Sequence, residues 1–233
     1  MGFLLESLRS AAGLLTSLDP ELLGIVKLSL AVSGSAVALA GLAGVPLACC
    51  LVFAEFPGRR LLRSVSDTLM SLPSVVAGLL VYSLLCRKGV FGAWDLLYSP
   101  FAMAAGQFVL ALPIIVSLTA AFLEHADPRI RKTALTLGAA RWTSALAVVR
   151  ETRNGLAPAL LAGFGRVFAE VGASMMLGGN IRNYTRNIPT AMAVKTSEGE
   201  FAAALALGIV LLLAAFSINA AVGLFRREAE RAL

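Results

Sequence analysis

Apolar residues run in long blocks along this chain, and most charged residues sit in the intervals between them. A helix needs about 20 apolar residues to cross a hydrocarbon core of about 30 Å. Five blocks meet that length: roughly Leu28 to Phe53, Ser66 to Cys86, Pro100 to Leu123, Leu156 to Leu177 and Phe201 to Phe225. Pro46, Pro73, Pro113 and Pro158 fall inside these blocks. Prolines are tolerated in membrane helices where neighbouring side chains re-satisfy the freed backbone. The pattern therefore predicts an all-α, polytopic membrane protein with about five spans. Residues 1–20 differ. Phe3, Leu4, Leu8 and Ala11 alternate with Glu6, Arg9 and Ser10 at helical spacing. That predicts a short interfacial helix, with a frayed tail as the other reading. Gly34, Gly41 and Gly44 in the first block predict close helix packing.

Composition narrows the class. Hydrophobic residues make up 58% of the chain and charged residues 15%, with a mean hydropathy of +0.82. Soluble domains carry roughly 25% charged residues, so no soluble domain is expected, and residues 1–233 read as one transmembrane domain. The net charge of +6 is spread over short loops without interleaved aromatics, which argues against nucleic acid. Cys49, Cys50 and Cys86 lie in or beside apolar blocks without metal-ligand or redox-pair spacing, and are expected to be buried. No metal site is expected. Glu6, Arg9 and Asp19 interrupt the start of the chain, so no cleavable signal peptide is expected.

The basic residues orient the spans. Loop 54–65, loop 124–153 and the C-terminal tail together hold 12 Lys and Arg residues. The opposite side holds seven: Arg9, Lys27, Arg87, Lys88, Arg182, Arg186 and Lys195. Lys/Arg excess marks the cytoplasmic side. The expected topology has the N-terminus outside and the C-terminus in the cytoplasm.

The longest cytoplasmic loop, 124–153, contains Arg131-Lys132-Thr133-Ala134-Leu135-Thr136-Leu137-Gly138-Ala139-Ala140-Arg141-Trp142. Gly138 permits a sharp bend. Ala134, Leu135, Leu137, Ala140, Trp142, Leu146 and Val149 give short helices an apolar face. Such helices either pack on their own protein or lie in a partner's groove. No Gly-x-x-x-x-Gly-Lys-Ser/Thr phosphate loop occurs within the 233 residues. A pump built on this chain would need an ATPase from another polypeptide.

This loop resembles the coupling loop of ABC-transporter permeases, whose pattern is Glu-Ala-Ala, three residues, Gly. Gly138 and the following Ala139-Ala140-Arg141-Trp142 fit it, while Lys132-Thr133-Ala134 replace the triplet and Arg150-Glu151 replace a later Leu-Pro. Three more stretches resemble the molybdate and related oxyanion permeases: Phe56-Pro57-Gly58-Arg59, Leu72-Pro73-Ser74-Val75-Val76-Ala77-Gly78, and Phe164-Gly165-Arg166-Val167-Phe168-Ala169-Glu170-Val171-Gly172-Ala173. Met175-Met176-Leu177-Gly178-Gly179-Asn180-Ile181, with Thr185-Arg186 and Pro189-Thr190-Ala191, resembles the tungstate-transport subfamily. The resemblance covers the chain from about residue 24.

It implies the type I ABC importer permease fold and a homodimeric, non-enzymatic transport subunit in a prokaryotic cytoplasmic (inner) membrane. It implies two copies of a cytoplasmic ABC ATPase, which use the ATP, and a periplasmic or extracellular binding protein. No cofactor is expected on this chain itself. Tungstate is the implied cargo, with molybdate or another oxyanion as the alternative. The ATPase contact falls on Lys132, Thr133, Ala134, Leu137, Gly138, Ala139, Ala140, Arg141 and Trp142.

Two further features carry charge. Arg166 and Glu170 lie four apart in the fourth block and are expected to share a helix face. Either they form an ion pair that fixes packing, or their face lines a path. On the second reading the path includes Met175, Gly178, Gly179 and Asn180. The outer loop from Gly178 to Glu200 offers Arg182 and Arg186 to a loaded binding protein; a solvated connector is the plainer reading. Gly178-Gly179-Asn180 there is expected to form a left-handed helix cap. An ion channel or secondary carrier is a second functional class, but charge rings and half-helix sites are not evident. An intramembrane enzyme is a third, disfavoured because His125, the sole histidine, has no nucleophile or metal partner in sight.

Overall fold

The computed structural model describes residue 13 and residues 20–231. The interfacial helix expected over residues 1–20 lies outside the described residues, apart from Gly13 and Pro20. Over residues 20–231 ten α-helices follow one another: α1 Pro20–Phe53, α2 Arg59–Leu69, α3 Ser74–Leu85, α4 Pro100–Glu124, α5 Pro128–Thr136, α6 Arg141–Glu151, α7 Arg153–Phe168, α8 Gly172–Gly178, α9 Ile188–Ser197 and α10 Phe201–Arg231. No strand occurs among the described residues.

Three helices are long and apolar enough to cross a membrane unbroken: α1, α4 and the Phe201–Gly223 part of α10. Pro46 and Pro113 sit inside the first two without ending them. The other two predicted spans are broken. Arg59–Leu69 and Ser74–Leu85 meet at 108°, and Gly155–Phe168 and Gly172–Gly178 meet at 64°. With each bent pair counted as one span, the described residues hold the five spans expected, two of them broken. Each break has a local cause. Pro73 is extended, with φ −61° and ψ 133°, and a proline disfavours helical backbone in the residue before it. Before that break, α2 sets Arg59, Arg60, Arg63 and Asp67 against Leu61, Leu62, Val65 and Leu69, an amphipathic pattern rather than a spanning one. At the second break, Glu170 Oε1 accepts the Ala173 N–H at 3.1 Å and so competes with the helical ladder.

The two half-helices α3 and α8 pack together. A Cβ on Gly78 of α3 would lie 3.2 Å from Ala173 Cα of α8, so any larger residue would have to push the two helices apart by a few tenths of an ångström. A Cβ on Gly172 would lie 3.2 Å from Ser74 Oγ, which sets the starts of α3 and α8 side by side. Further along, Val81 and Leu85 bury with Leu177 and Ala102 of α4. The central α4 joins most of the core. Leu110, Ala111 and Ile115 bury with Val37, Ala40, Ala77, Val167 and Ala173. Of the small residues in α1, Gly41 and Gly44 are packed tightly: added Cβ atoms would lie 2.8 Å from Leu160 and 3.1 Å from Ile115. Gly34 faces open space, so the expected close packing fails there.

Both predicted basic loops lie at one end of the bundle. Arg63 of α2 reaches Glu124 at the end of α4 at 3.5 Å, and Arg131 of α5 donates to the Phe53 carbonyl at 3.3 Å. Ser66 and Ser117 add a hydroxyl pair at 3.1 Å between α2 and α4. At the opposite end, Ser29 of α1 accepts the Ile188 N–H at 2.9 Å, and the Tyr98 N–H donates to the Leu177 carbonyl at 2.9 Å. Of the cysteines, Cys49 is buried as expected. Cys50 is exposed and Cys86 only partly covered, because Cys50 points off the packed face of α1 and Cys86 ends α3.

Candidate functional site

The segment around Gly138 is a helix–turn–helix. Lys132, Thr133 and Ala134 belong to α5, which starts at Asp127, whose carboxylate caps the Arg129 N–H at 2.8 Å. Leu137 ends that helix. Gly138 takes φ +84°, a left-handed value that costs other L-residues about 1–2 kcal/mol. Ala139 and Ala140 lead into α6, whose first residues are Arg141 and Trp142. Ser144, Ala145 and Val148 bury the inner face of α6. Its outer surface leaves Leu137 83% exposed and Trp142 59% exposed. Two large apolar side chains are thus displayed at a turn beyond the spans, as an interaction surface displays them.

Arg166 and Glu170 meet at 2.7 Å, but not on a shared helix face. Arg166 is in α7, whereas Glu170 lies beyond its end, in the break before α8. The Glu170 side chain is 4% exposed and uses both oxygens, one for Arg166 and one for the Ala173 N–H. It therefore pins the break as well as the charge. The Arg166 side chain remains 36% exposed within a spanning element. Lipid contact there would be costly for a guanidinium. Val75, Leu79 and Val171, all more than a third exposed, belong to the adjoining ends and faces of α3 and α8.

Met175 is half-buried in α8. Gly178-Gly179-Asn180 forms the expected left-handed cap, with φ +69° at Gly179 and +50° at Asn180. A Cβ on Gly179 would lie 3.0 Å from the Tyr98 ring. Thr185, fully buried, hydrogen-bonds the Gly178 carbonyl and accepts the Ile181 N–H at 2.9 Å. The Gly-Gly-Asn-Ile…Thr signature thus has a structural account as a knotted turn. The outer segment beyond it is not a plain connector: Ile188–Ser197 is helical, opened by a capping box between Asn187 and Thr190, and its start is buried. Asn187 followed by Pro189 is the start signal that reveals this helix in the sequence.

Arg182 and Arg186 stand at this end, and both are engaged. Arg182 grips Glu21 of α1 with two donors, one at 2.9 Å, and Arg186 approaches the same carboxylate at 3.6 Å. Glu21, 161 residues from Arg182, is the partner that sequence spacing could not reveal. The two arginines form a clamp between the outer segment and the first span, beside a cavity of about 480 Å³ that Lys195 also lines. Lys195 is held by Glu200 at 2.8 Å and Glu198 at 3.0 Å, which raises its pKa above the usual lysine value. At the other end, His125 caps α4, its Nδ1 2.7 Å from the Ala121 carbonyl oxygen. Among the described residues no group of three His, Cys, Asp or Glu side chains could hold a metal ion.

Long apolar helices, two broken spans and a single apolar bundle define a helical membrane protein. Residues 40–231 match the family described as the binding-protein-dependent transport system inner membrane component, and the chain belongs to it. It is thus a multi-pass membrane subunit of an ABC importer, not an enzyme, and works with an ATPase and a binding protein. Over 98% of its length it is 37% identical to the tungstate uptake system permease protein TupB of Peptoclostridium acidaminophilum, the whole of which is covered. It is 34% identical to the molybdenum transport system permease protein ModB of Escherichia coli K12, over 92% of this chain and 97% of that one. Among solved structures, a chain of an amino acid ABC transporter shares the fold, with a TM-score of 0.63 at 17% identity, covering 92% of this chain and 96% of that one.

Proposed function

We propose that this chain carries tungstate across a prokaryotic cytoplasmic membrane as half of a homodimeric pathway, with the N-terminus outside and the C-terminus in the cytoplasm. The observation that carries the cargo assignment is the full-length similarity to a tungstate permease, joined to the Gly178–Thr185 signature. Molybdate is the alternative, because a molybdenum permease is also related over nearly the whole chain. Two ATPase subunits dock on the α5–α6 turn, at Lys132, Thr133, Ala134, Leu137 and Gly138 through Trp142, and they alone use ATP. The pathway runs past Arg166, with Glu170 and Met175 beside it and Gly178, Gly179 and Asn180 towards its outer mouth. The half-exposed guanidinium supports this, since the face around it calls for water or a second copy rather than lipid. Glu170 keeps the site from trapping a dianion.

The test is reconstitution in proteoliposomes with the ATPase and the binding protein. ATP-dependent tungstate uptake is the expected result, with molybdate competing and sulfate excluded. Uptake by the chain alone without nucleotide would instead make it a carrier or channel.

The outer clamp gives a second test, with Arg182 and Arg186 as the contact for loaded binding protein. Arg182→Glu with Arg186→Glu should reduce stimulation of ATP turnover by tungstate-loaded binding protein several-fold. These changes also oppose Glu21, so Glu21→Arg is added to rebuild the clamp with reversed charge. The triple variant should recover thermal stability but not stimulation. An unchanged stimulation curve in the triple variant would remove this segment from docking.

A further inference from the structure

The end of α1 and the two helices of the docking turn enclose a second cavity, of about 560 Å³. Arg131, Arg141 and Trp142 line it from α5 and α6, and Cys50, Phe53 and Glu55 from the α1 side. It lies where the first span ends. The Arg131 guanidinium bonds the Phe53 carbonyl at 3.3 Å and sits over the Phe53 ring, 5.1 Å from its centroid. Arg131 Nε is buried there without a hydrogen-bond partner. Glu55 is the one acidic residue of the cavity wall, and on its far side it adjoins Arg59 and Arg60. Glu55 thus shares one cavity with Arg131 and Arg141 and a second with Arg59 and Arg60.

Cys50 is shared with a neighbouring groove of about 390 Å³, whose wall is otherwise almost wholly apolar. Leu47, Leu51, Leu62, Val65, Leu112 and Val116 are among its walls. On α4 the groove extends from Val116 to Phe108, a rise of about 12 Å at 1.5 Å per residue. A basic pocket and an acyl-sized apolar groove thus lie next to each other, with Cys50 lining both. Arginines and tryptophan at that level are the groups that meet lipid headgroups.

The geometry points to a bound anionic phospholipid of the Arg-rich leaflet, its phosphate between Arg131 and Arg141 and one acyl chain in the groove past Cys50. The site ties α5 and α6 to the first span through the lipid phosphate. It rests on the chain being a membrane subunit and holds whichever anion is carried.

Native mass spectrometry of the full chain in detergent, with phosphatidylglycerol and phosphatidylcholine supplied together, tests this. One phosphatidylglycerol per chain should be retained about tenfold over phosphatidylcholine, the order expected for two arginines near a lipid phosphate. Arg131→Gln should bring the preference to within about twofold. Cys50→Trp, which fills the junction and leaves both arginines in place, should also lower retention, and it serves if Arg131→Gln fails to elute as a single species. Equal retention of the two lipids by the unaltered chain would overturn the proposal. So would displacement of phosphatidylglycerol by millimolar inorganic phosphate or tungstate, which would assign the cavity to a free oxyanion.

Discussion

Glu170→Ala should be the most destabilising single change among the charged residues of the bundle. It removes an ion-pair partner from Arg166 and a cap from the Ala173 N–H at once. Breaking a buried pair typically costs 3–5 kcal/mol, and the half-exposed Arg166 places this case near the lower figure, about 3 kcal/mol. Thermal unfolding in detergent should show it as a large drop in midpoint and in yield of monodisperse protein. Glu170→Gln keeps an oxygen for Ala173 and should cost less. Arg166→Gln with Glu170→Gln removes both charges and should recover most of the stability, because no charge is then left alone. The double variant separates structure from transport. If Arg166 touches the passing anion, the recovered protein should lose most tungstate uptake while ATP turnover persists. Recovery of both stability and uptake would confine the pair to packing.

The features legible in the sequence are those with a local cause. The spans of α1, α4 and α10 follow from uninterrupted apolar blocks, and the Gly138 bend from a glycine between two short amphipathic stretches. The breaks are only half legible. Pro73 is visible, but Pro46 and Pro113 are equally visible and leave their helices intact, since neighbouring groups decide whether freed backbone is satisfied. Glu170 gives no local sign of ending α7, because a carboxylate four residues after an arginine reads as a helical pair. Its role depends on the Ala173 N–H, which is left free for the carboxylate only once the helix has broken. The Glu21 clamp and the Arg131 contact with Phe53 join residues far apart in the chain, and only the packed bundle brings them together.

The Glu21 clamp and the Gly138 turn lie at opposite ends of the bundle. The pieces that connect them are the broken spans. α3 and α8 pack against each other through Gly78 and Ala173 on the side of the clamp, while α2 and α7 lead from the same breaks towards the Arg-rich end. A half-helix can tilt about its break without unfolding its partner half, as a continuous helix cannot.

Gly138→Glu should abolish transport while leaving the chain inserted and folded. The effect combines two costs. Position 138 takes φ +84°, which a residue with a Cβ adopts at about 1–2 kcal/mol. Nothing lies within 4 Å of a Cβ there, so the side chain meets no clash inside this chain and points into the space a partner would fill. Beside it, Leu137 is the most exposed large apolar residue of the turn. A carboxylate next to that side chain should keep an apolar groove on the ATPase from closing over it. Gly138→Ala carries the backbone cost alone and should retain a substantial share of uptake, since a methyl group has room. The measurement is co-purification of the ATPase from membranes, paired with ATP-dependent tungstate uptake. Loss of both with Gly138→Glu, at normal amounts of inserted protein, is the expected outcome. Wild-type recovery of the ATPase with normal uptake would take the contact away from this turn.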